Sequence, residues 1–235
     1  MAMHSKFIRG NLVFYDGPTW VDAIGPNVIK FAEHFVQTPF ASANNIAYAT
    51  TTIVQAGSSN TTLVLNPGAD GGTLLITTDN ADNDGANIQV QGEAFKLANG
   101  YPLYFGCRFK ISETTQSDFF LGLAITDTDV LGGVTDGVFF DKTDGTTPVK
   151  FHLEKGSSIT DSGTIATCDT SFHTYEFYFD GTNVDAWYDG ALQTRLATTN
   201  LPNTEWITPT IHVLTGSAAS ITAEVDWLRV IQLLA

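Results

Sequence analysis

Carboxylates two residues apart on a strand project from the same side of a sheet, and Glu224 and Asp226 in Glu224-Val225-Asp226-Trp227-Leu228-Arg229 have that spacing. Two acids at short range, one of them kept protonated, are what cleavage of a glycosidic bond requires. Arg229 stands three positions on, and a second reading has Asp226 and Arg229 simply satisfying a sheet edge. Another group is acidic and turn-like. Asn80-Ala81-Asp82-Asn83-Asp84-Gly85 matches the first half of a calcium loop, with Asp82 and Asp84 as ligands. Asn stands at its first position and Gln91 where the bidentate Glu belongs, and a polar turn between strands accounts for the same residues. Calcium is the one cofactor left open; otherwise none is expected. Trp187 and Tyr188, beside Asp185 and Asp189, combine flat rings with hydrogen-bonding groups suited to a sugar. On an alternating strand one of the two rings must face outward, either toward such a ligand or under a neighbouring loop. The histidines His4, His34, His152, His173 and His212 lack zinc-ligand spacing. His152 and His212 stand between apolar neighbours and read as hydrogen-bonded face or core residues. No serine occupies a nucleophile elbow and no glycine-rich phosphate loop opens a helix. No catalytic residue is assigned, and no enzyme activity is expected.

The elements that must carry these groups are strands. Asp-Gly occurs at Asp16, Asp70, Asp84, Asp136, Asp144, Asp180 and Asp189, and Asn99-Gly100 adds another tight-turn pair. Between them lie strand-length runs at 61–65, 72–78, 88–91, 103–111, 119–126, 138–141, 149–154, 174–180, 183–188, 208–214 and 223–233. In 174–180, Tyr175, Phe177 and Phe179 share one side, with Glu176 and Tyr178 on the other. Val28, Phe31, Ala32 and Phe35 fit one face of a short helix over 27–36. The fold class is therefore all-β, a two-sheet antiparallel jelly-roll sandwich over 41–235, preceded by an irregular arm over 1–40. Residues 41–66 read as a long polar loop or an edge strand.

The chain has 235 residues and a formal charge of -14, which repels nucleic acid phosphates and anionic membranes, or serves solubility alone. No apolar stretch approaches a membrane span, and residues 1–10 lack a secretory core, so retention in a cytoplasm, or export by a route other than a classical signal, is expected. Cys107 and Cys168 read as two buried free thiols.

The segment from Phe172 to Gly190, with Asp180-Gly181, Trp187-Tyr188 and Asp189-Gly190, resembles the central hairpin of concanavalin A-like and laminin G-like domains. Val225-Asp226-Trp227-Leu228-Arg229-Val230 resembles their closing strand, which laminarinase-type glucanases of that fold share. The glucanase pattern is Glu-x-Asp-x-x-Glu on one strand of the concave face, and the resemblance implies that Arg229 leaves it incomplete. Laminin G-like kinship adds Asp127 and Asp129 as candidate calcium ligands at a loop rim.

A narrower resemblance covers nearly the whole chain. Ser5-Lys6-Phe7-Ile8-Arg9-Gly10, Ala94-Phe95-Lys96-Leu97 and Gly132-Gly133-Val134-Thr135-Asp136-Gly137 are similar to uncharacterised tailed-phage virion proteins. That resemblance implies a capsid decoration or head-associated protein of the virion, with the major capsid protein as partner. A homo-oligomer is expected, and the alternative is a carbohydrate-binding module for surface glycans. The arm is too apolar for a free tail. It is either the attachment interface, with Arg9, Phe14 and Trp20 as anchors, or a cap on its own sandwich.

Overall fold

The computed structural model describes residues 3–37, 39–54, 61–66 and 71–234. The chain passes through β1 (His4–Ile8), β2 (Asn11–Asp16), β3 (Thr19–Ile24), β4 (Val28–Glu33), β5 (Phe40–Ser42), β6 (Asn45–Ile46) and β7 (Ala49–Val54). It continues through β8 (Thr62–Asn66), β9 (Thr73–Thr77), β10 (Gly85–Val90), β11 (Leu103–Ile111), β12 (Ser117–Ala124), β13 (Gly137–Lys142) and β14 (Pro148–Lys155). It ends with β15 (Ser158–Thr167), β16 (His173–Phe179), β17 (Asn183–Tyr188), β18 (Ala191–Ala197), β19 (Thr208–Thr215) and β20 (Thr222–Leu233). One 3-10 turn, Val130–Gly132, lies between β12 and β13.

Alternation along each strand sets the architecture. In β11, Leu103, Phe105, Cys107, Phe109 and Ile111 point to the core, and Tyr104, Gly106, Arg108 and Lys110 point away. In β12, Phe119, Leu121 and Leu123 are inward, while Asp118, Phe120 and Gly122 are outward. One antiparallel sheet runs β15-β14-β13-β12-β19-β10-β7. The other runs β18-β17-β16-β11-β20-β9-β8, with β4 also paired to β20. Between them Phe177 lies 5.0 Å from the Phe105 ring of its own sheet and 5.6 Å from Phe151 of the other. Each such buried Phe contributes roughly 2–3 kcal/mol. This is the two-sheet antiparallel jelly-roll sandwich expected from the turn spacing. Both cysteines are buried and free. Among the described residues no helix is long and apolar enough to cross a membrane.

Two local expectations change, and the edge-strand alternative for residues 41–66 holds. The helix expected over 27–36 is strand β4. Its backbone pairs with β20 from Val28↔Leu233 to Glu33↔Leu228, because β9 reaches only residues 222–225 of that long strand. The ladder beyond needs a partner, and β-branched Val28 and Ile29 suit one. Residues 41–66 hold β5 to β8, with β7 and β8 each at the edge of a main sheet; residues 55–60 lie outside the described residues, as does Asp70.

The arm is not irregular. Strands β1, β2 and β3 form a three-stranded sheet whose Val13, Trp20 and Ala23 bury against Tyr104, Ile231 and Leu233 on the outer face of the eight-stranded sheet. Trp20 is 4% exposed, 5.1 Å from the Tyr178 ring and 6.4 Å from Tyr104. It is therefore a core side chain of its own sandwich and not a free anchor. Arg9 donates to the Gly100 carbonyl, and Phe14 is half-buried across the ladder from Ser5 and Asp22. Trp20→Ala is expected to cost about 3–5 kcal/mol, as removal of a buried aromatic does. Denaturant unfolding followed by circular dichroism measures it; a cost under about 1 kcal/mol is the range of a surface residue and would mean the small sheet does not dock as described.

Candidate functional site

The acids singled out in the sequence lie on the outer face of the eight-stranded sheet, and they are occupied. Strand β20 sits between β11 and the β9 and β4 ladders, so Asp226 and Arg229 are central and do not satisfy an edge. Arg108 pairs with Asp226, and Lys110 Nζ lies 2.8 Å from Glu224. Burial pushes the Glu224 carboxyl up, but Lys110, Thr73 and Asn66 outweigh it and hold the group below its ordinary value. An acid held ionised in this way cannot donate a proton near neutrality.

The other candidates separate likewise. Asp185 makes a two-point pair with Arg195, at 2.5 and 2.6 Å. Tyr188 packs inward on the core and stacks on His173, while Trp187 is half-buried across from Glu176. Asp189 accepts from the Thr174 amide at 2.8 Å and lies 2.7 Å from His173. Asp82 is exposed and Asp84 is buried, in a turn tied to Thr215 by backbone bonds from Asn83 and to Asp84. Among the described residues no group of three or more acids, histidines or cysteines is placed to hold a metal ion.

The outer face of the seven-stranded sheet is different. Along β14, Val149, Phe151 and Leu153 enter the core, which turns Lys150, His152 and Glu154 outward. On β13, Val138 and Phe140 enter the core, and Gly137, Phe139 and Asp141 face outward. His152 and Glu154 are each 6% exposed although they sit on an outer face. What covers this face is the connection from β12 to β13. Gln89 accepts from the Asp127 amide at 2.8 Å and donates to the Ile125 carbonyl at 3.0 Å. Asn87 donates to the Asp127 carbonyl at 2.7 Å, and Asp129 caps the 3-10 turn through the Gly132 amide at 3.1 Å. The connection then packs Val130 and Val134 on Phe120, Ala124 and Phe139 in a small second core.

Beside this wall a cleft of about 200 Å³ remains, lined by Phe120, Phe139, Asp141, His152, Glu154 and Ile159 among others. His152 Nε2 lies 2.8 Å from Asp141 Oδ1, and the imidazole stacks on Phe139 at 5.3 Å. Burial raises the Glu154 carboxyl above its ordinary value; His152 opposes this, while Asp136 and Asp141 add to it. Unpaired buried polar atoms gather on the same face: Asn87 Oδ1, His152 Nδ1 and both ring nitrogens of His212 make no hydrogen bond among the described residues. Native proteins rarely leave such atoms orphaned away from water or ligand, so their concentration marks this face. His152 and His212 are thus face residues, as expected; His152 is paired with Asp141, while His212 makes no hydrogen bond among the described residues. The sequence did carry one signal: β14 alternates strictly, and its outward set is Lys150, His152 and Glu154.

The fold is of the concanavalin A-like jelly-roll class, and solved structures share it over most of the chain. A glycoside hydrolase family 16 endo-glucanase from Bacteroides ovatus is 13% identical, over 85% of this chain and 99% of its own, with a TM-score of 0.59. The endo-1,3-beta-glucanase from Streptomyces sioyaensis is 15% identical, over 92% and 100%, at 0.60. A protein of unknown function from Shewanella oneidensis is 12% identical, over 88% and 87%, at 0.60. Such identities establish the fold. No family model and no curated protein matches the chain. The expectation of a virion component without enzymatic role is overturned by this similarity to glucan-cleaving enzymes. That expectation took the incomplete Glu224 triplet as the test of catalysis, and Glu224 stands on the opposite sheet from the cleft.

His212, fully buried under the β12–β13 connection, has its pKa pulled down to about 4 by burial, with Asp127 opposing. The unfolded chain therefore binds more protons than the folded one between about pH 4 and 6.5. The resulting stability is complete above that window and is lost as pH falls through it, by about 3 kcal/mol at full extent. His212→Gln is expected to flatten this loss, measured as the difference in urea midpoint between pH 7 and pH 4.5. An equal acid loss in parent and variant would rule out the assignment.

Proposed function

We propose that the protein hydrolyses a glycosidic bond in a glucan held in the cleft on the outer face of the seven-stranded sheet. The observation that carries this reading is Glu154, a nearly covered carboxyl with raised proton affinity, opening onto a cleft that also holds Asp141 and His152. Glu154 retains its proton to higher pH than a free glutamic acid and supplies it to the leaving oxygen. Asp141 serves as the base, and His152, 2.8 Å away, positions its carboxylate.

The two carboxyls stand on neighbouring strands of the sheet. Glu154 stands opposite Gly137, and Asp141 opposite Lys150, four residues apart along the ladder. That is about 13 Å of strand. The proposed nucleophile is a water molecule, with Asp141 taking its proton. Ile159, exposed at the cleft, supplies apolar surface for the sugar ring. The fold shared with endo-glucanases supports β-glucans as the substrate class.

Reducing-end release from β-1,3-glucan and mixed-linkage β-glucan tests the reading. Glu154→Gln and Asp141→Asn are each expected to lower kcat by about 10²–10⁴-fold. Glu224→Gln, on the other sheet, is expected to leave it within about twofold. Activity should fall as pH rises through the elevated Glu154 value, because the acid form is the donor. A parent protein that cleaves neither glucan, or a Glu154→Gln variant of full activity, would refute it.

A further inference from the structure

A second cleft, of about 660 Å³, opens on the other side of the sandwich. Its floor is the outer face of the eight-stranded sheet, at Thr174 and Glu176 of β16 and Trp227 and Arg229 of β20. Its walls are the β2–β3 turn at Asp16 to Thr19 and the β17–β18 turn at Asp189-Gly190. The small N-terminal sheet thus docks over part of this face and leaves the rest as a cleft.

Two features set the cleft apart from the surrounding surface. Most outward charges of this sheet are paired: Arg108 with Asp226, Lys110 with Glu224, Arg195 with Asp185. Glu176 and Arg229, both in the cleft, form no salt bridge among the described residues. Glu176 is 1% exposed, an expensive place for a carboxyl without a use. Its Oε1 takes the Tyr104 hydroxyl at 2.7 Å and the Thr19 hydroxyl as well, and the residue lines the cleft. Arg229 reaches the Trp20 carbonyl at 3.4 Å and His34 at 3.0 Å, both long of the charge-assisted contacts a guanidinium makes with a carboxylate. Trp227 is half-buried, and Gly106 lies so close under its ring that a side chain there would strike it. The indole therefore lies down on the sheet, with Arg229 5.2 Å from its ring.

A flat aromatic surface, a guanidinium donor, a buried carboxylate acceptor and the hydroxyls of Thr19 and Thr174 converge on one space. Alternating donors and acceptors beside an apolar ring match the hydroxyls and C–H face of a sugar. A phosphate-bearing ligand would meet Asp16, Asp189 and Glu176 under a net charge of -14. We infer that this cleft is a second saccharide site, holding a glucan segment by Trp227, Arg229 and Glu176 without cleaving it. The choice of glucan rests on the function proposed above; the site itself rests on its own residues.

Affinity electrophoresis in gels containing β-1,3-glucan or mixed-linkage β-glucan tests it, with Glu154→Gln present throughout to prevent cleavage. Trp227→Ala and, independently, Thr174→Arg, which fills the cleft from a half-buried position, are each expected to weaken binding about tenfold or more. Trp227→Phe is expected to restore most of it. With Glu154 intact, the same variants are expected to cleave a glucan trisaccharide at a kcat within about twofold of the parent. Thermal unfolding of each variant controls for the fold. Unchanged binding in both Trp227→Ala and Thr174→Arg, or no binding of either glucan by the parent, overturns the inference. Loss of binding in the variants of a protein that cleaves nothing would leave this site standing and remove the proposed hydrolysis. Cleavage with unaltered binding would do the reverse.

Discussion

The packing of Phe177 against Phe105 within one sheet, and against Phe140 and Phe151 of the other, fixes everything outside it. Once these rings hold the sheets face to face, each strand has one side committed to the core. All polar chemistry is forced onto two outer faces that cannot communicate through the interior. Glu154 and Glu176 are both carboxyls raised by burial, yet they stand on opposite sides of the molecule. The two faces are also finished differently. One is covered by the connection after β12, anchored through the amides of Asn87 and Gln89. The other is covered by an N-terminal sheet anchored through Trp20. Each cover is incomplete, and a cleft lies where it stops.

The burial of polar groups on these faces is the energetic oddity of the structure. A fully covered His212 and nearly covered Glu154 and Glu176 all work against desolvation. Surface pairs such as Lys150 with Asp161 add little to offset this. The compensation comes from the aromatic core, which is large enough to carry outer faces optimised for something other than stability.

Much of the fold was legible in the residues. Asp180-Gly181 and Asp189-Gly190 do bracket β17, and the alternation of Tyr175, Phe177 and Phe179 is that of a strand with one buried side. Residues 27–36 misled because Val28, Phe31, Ala32 and Phe35 satisfy a helical period equally well; only the length of β20, a distant strand, decides for a ladder. The candidate site was harder to read. Lys150, His152 and Glu154 are visibly outward on β14, but outward ordinarily means solvated. The burial of His152 and Glu154 is imposed by Val130 and Val134 on a connection that folds back from β12, a long-range fact with no local trace. Glu224 and Asp226 drew attention because their spacing was right, while the neighbours that neutralise them, Lys110 and Arg108, are more than a hundred residues away.

The pairing of β4 with β20 also has a consequence in time. Val28 must find Leu233, near the opposite end of the sequence, and Trp20 docks on a surface that includes Ile231 and Leu233. During synthesis the N-terminal hairpins emerge first, and their partners emerge last. Closing so long a loop is slow compared with local pairing. Until β20 has emerged, Val13, Trp20 and Ala23 have only part of the surface that buries them, and the segment must be kept from associating with other nascent chains.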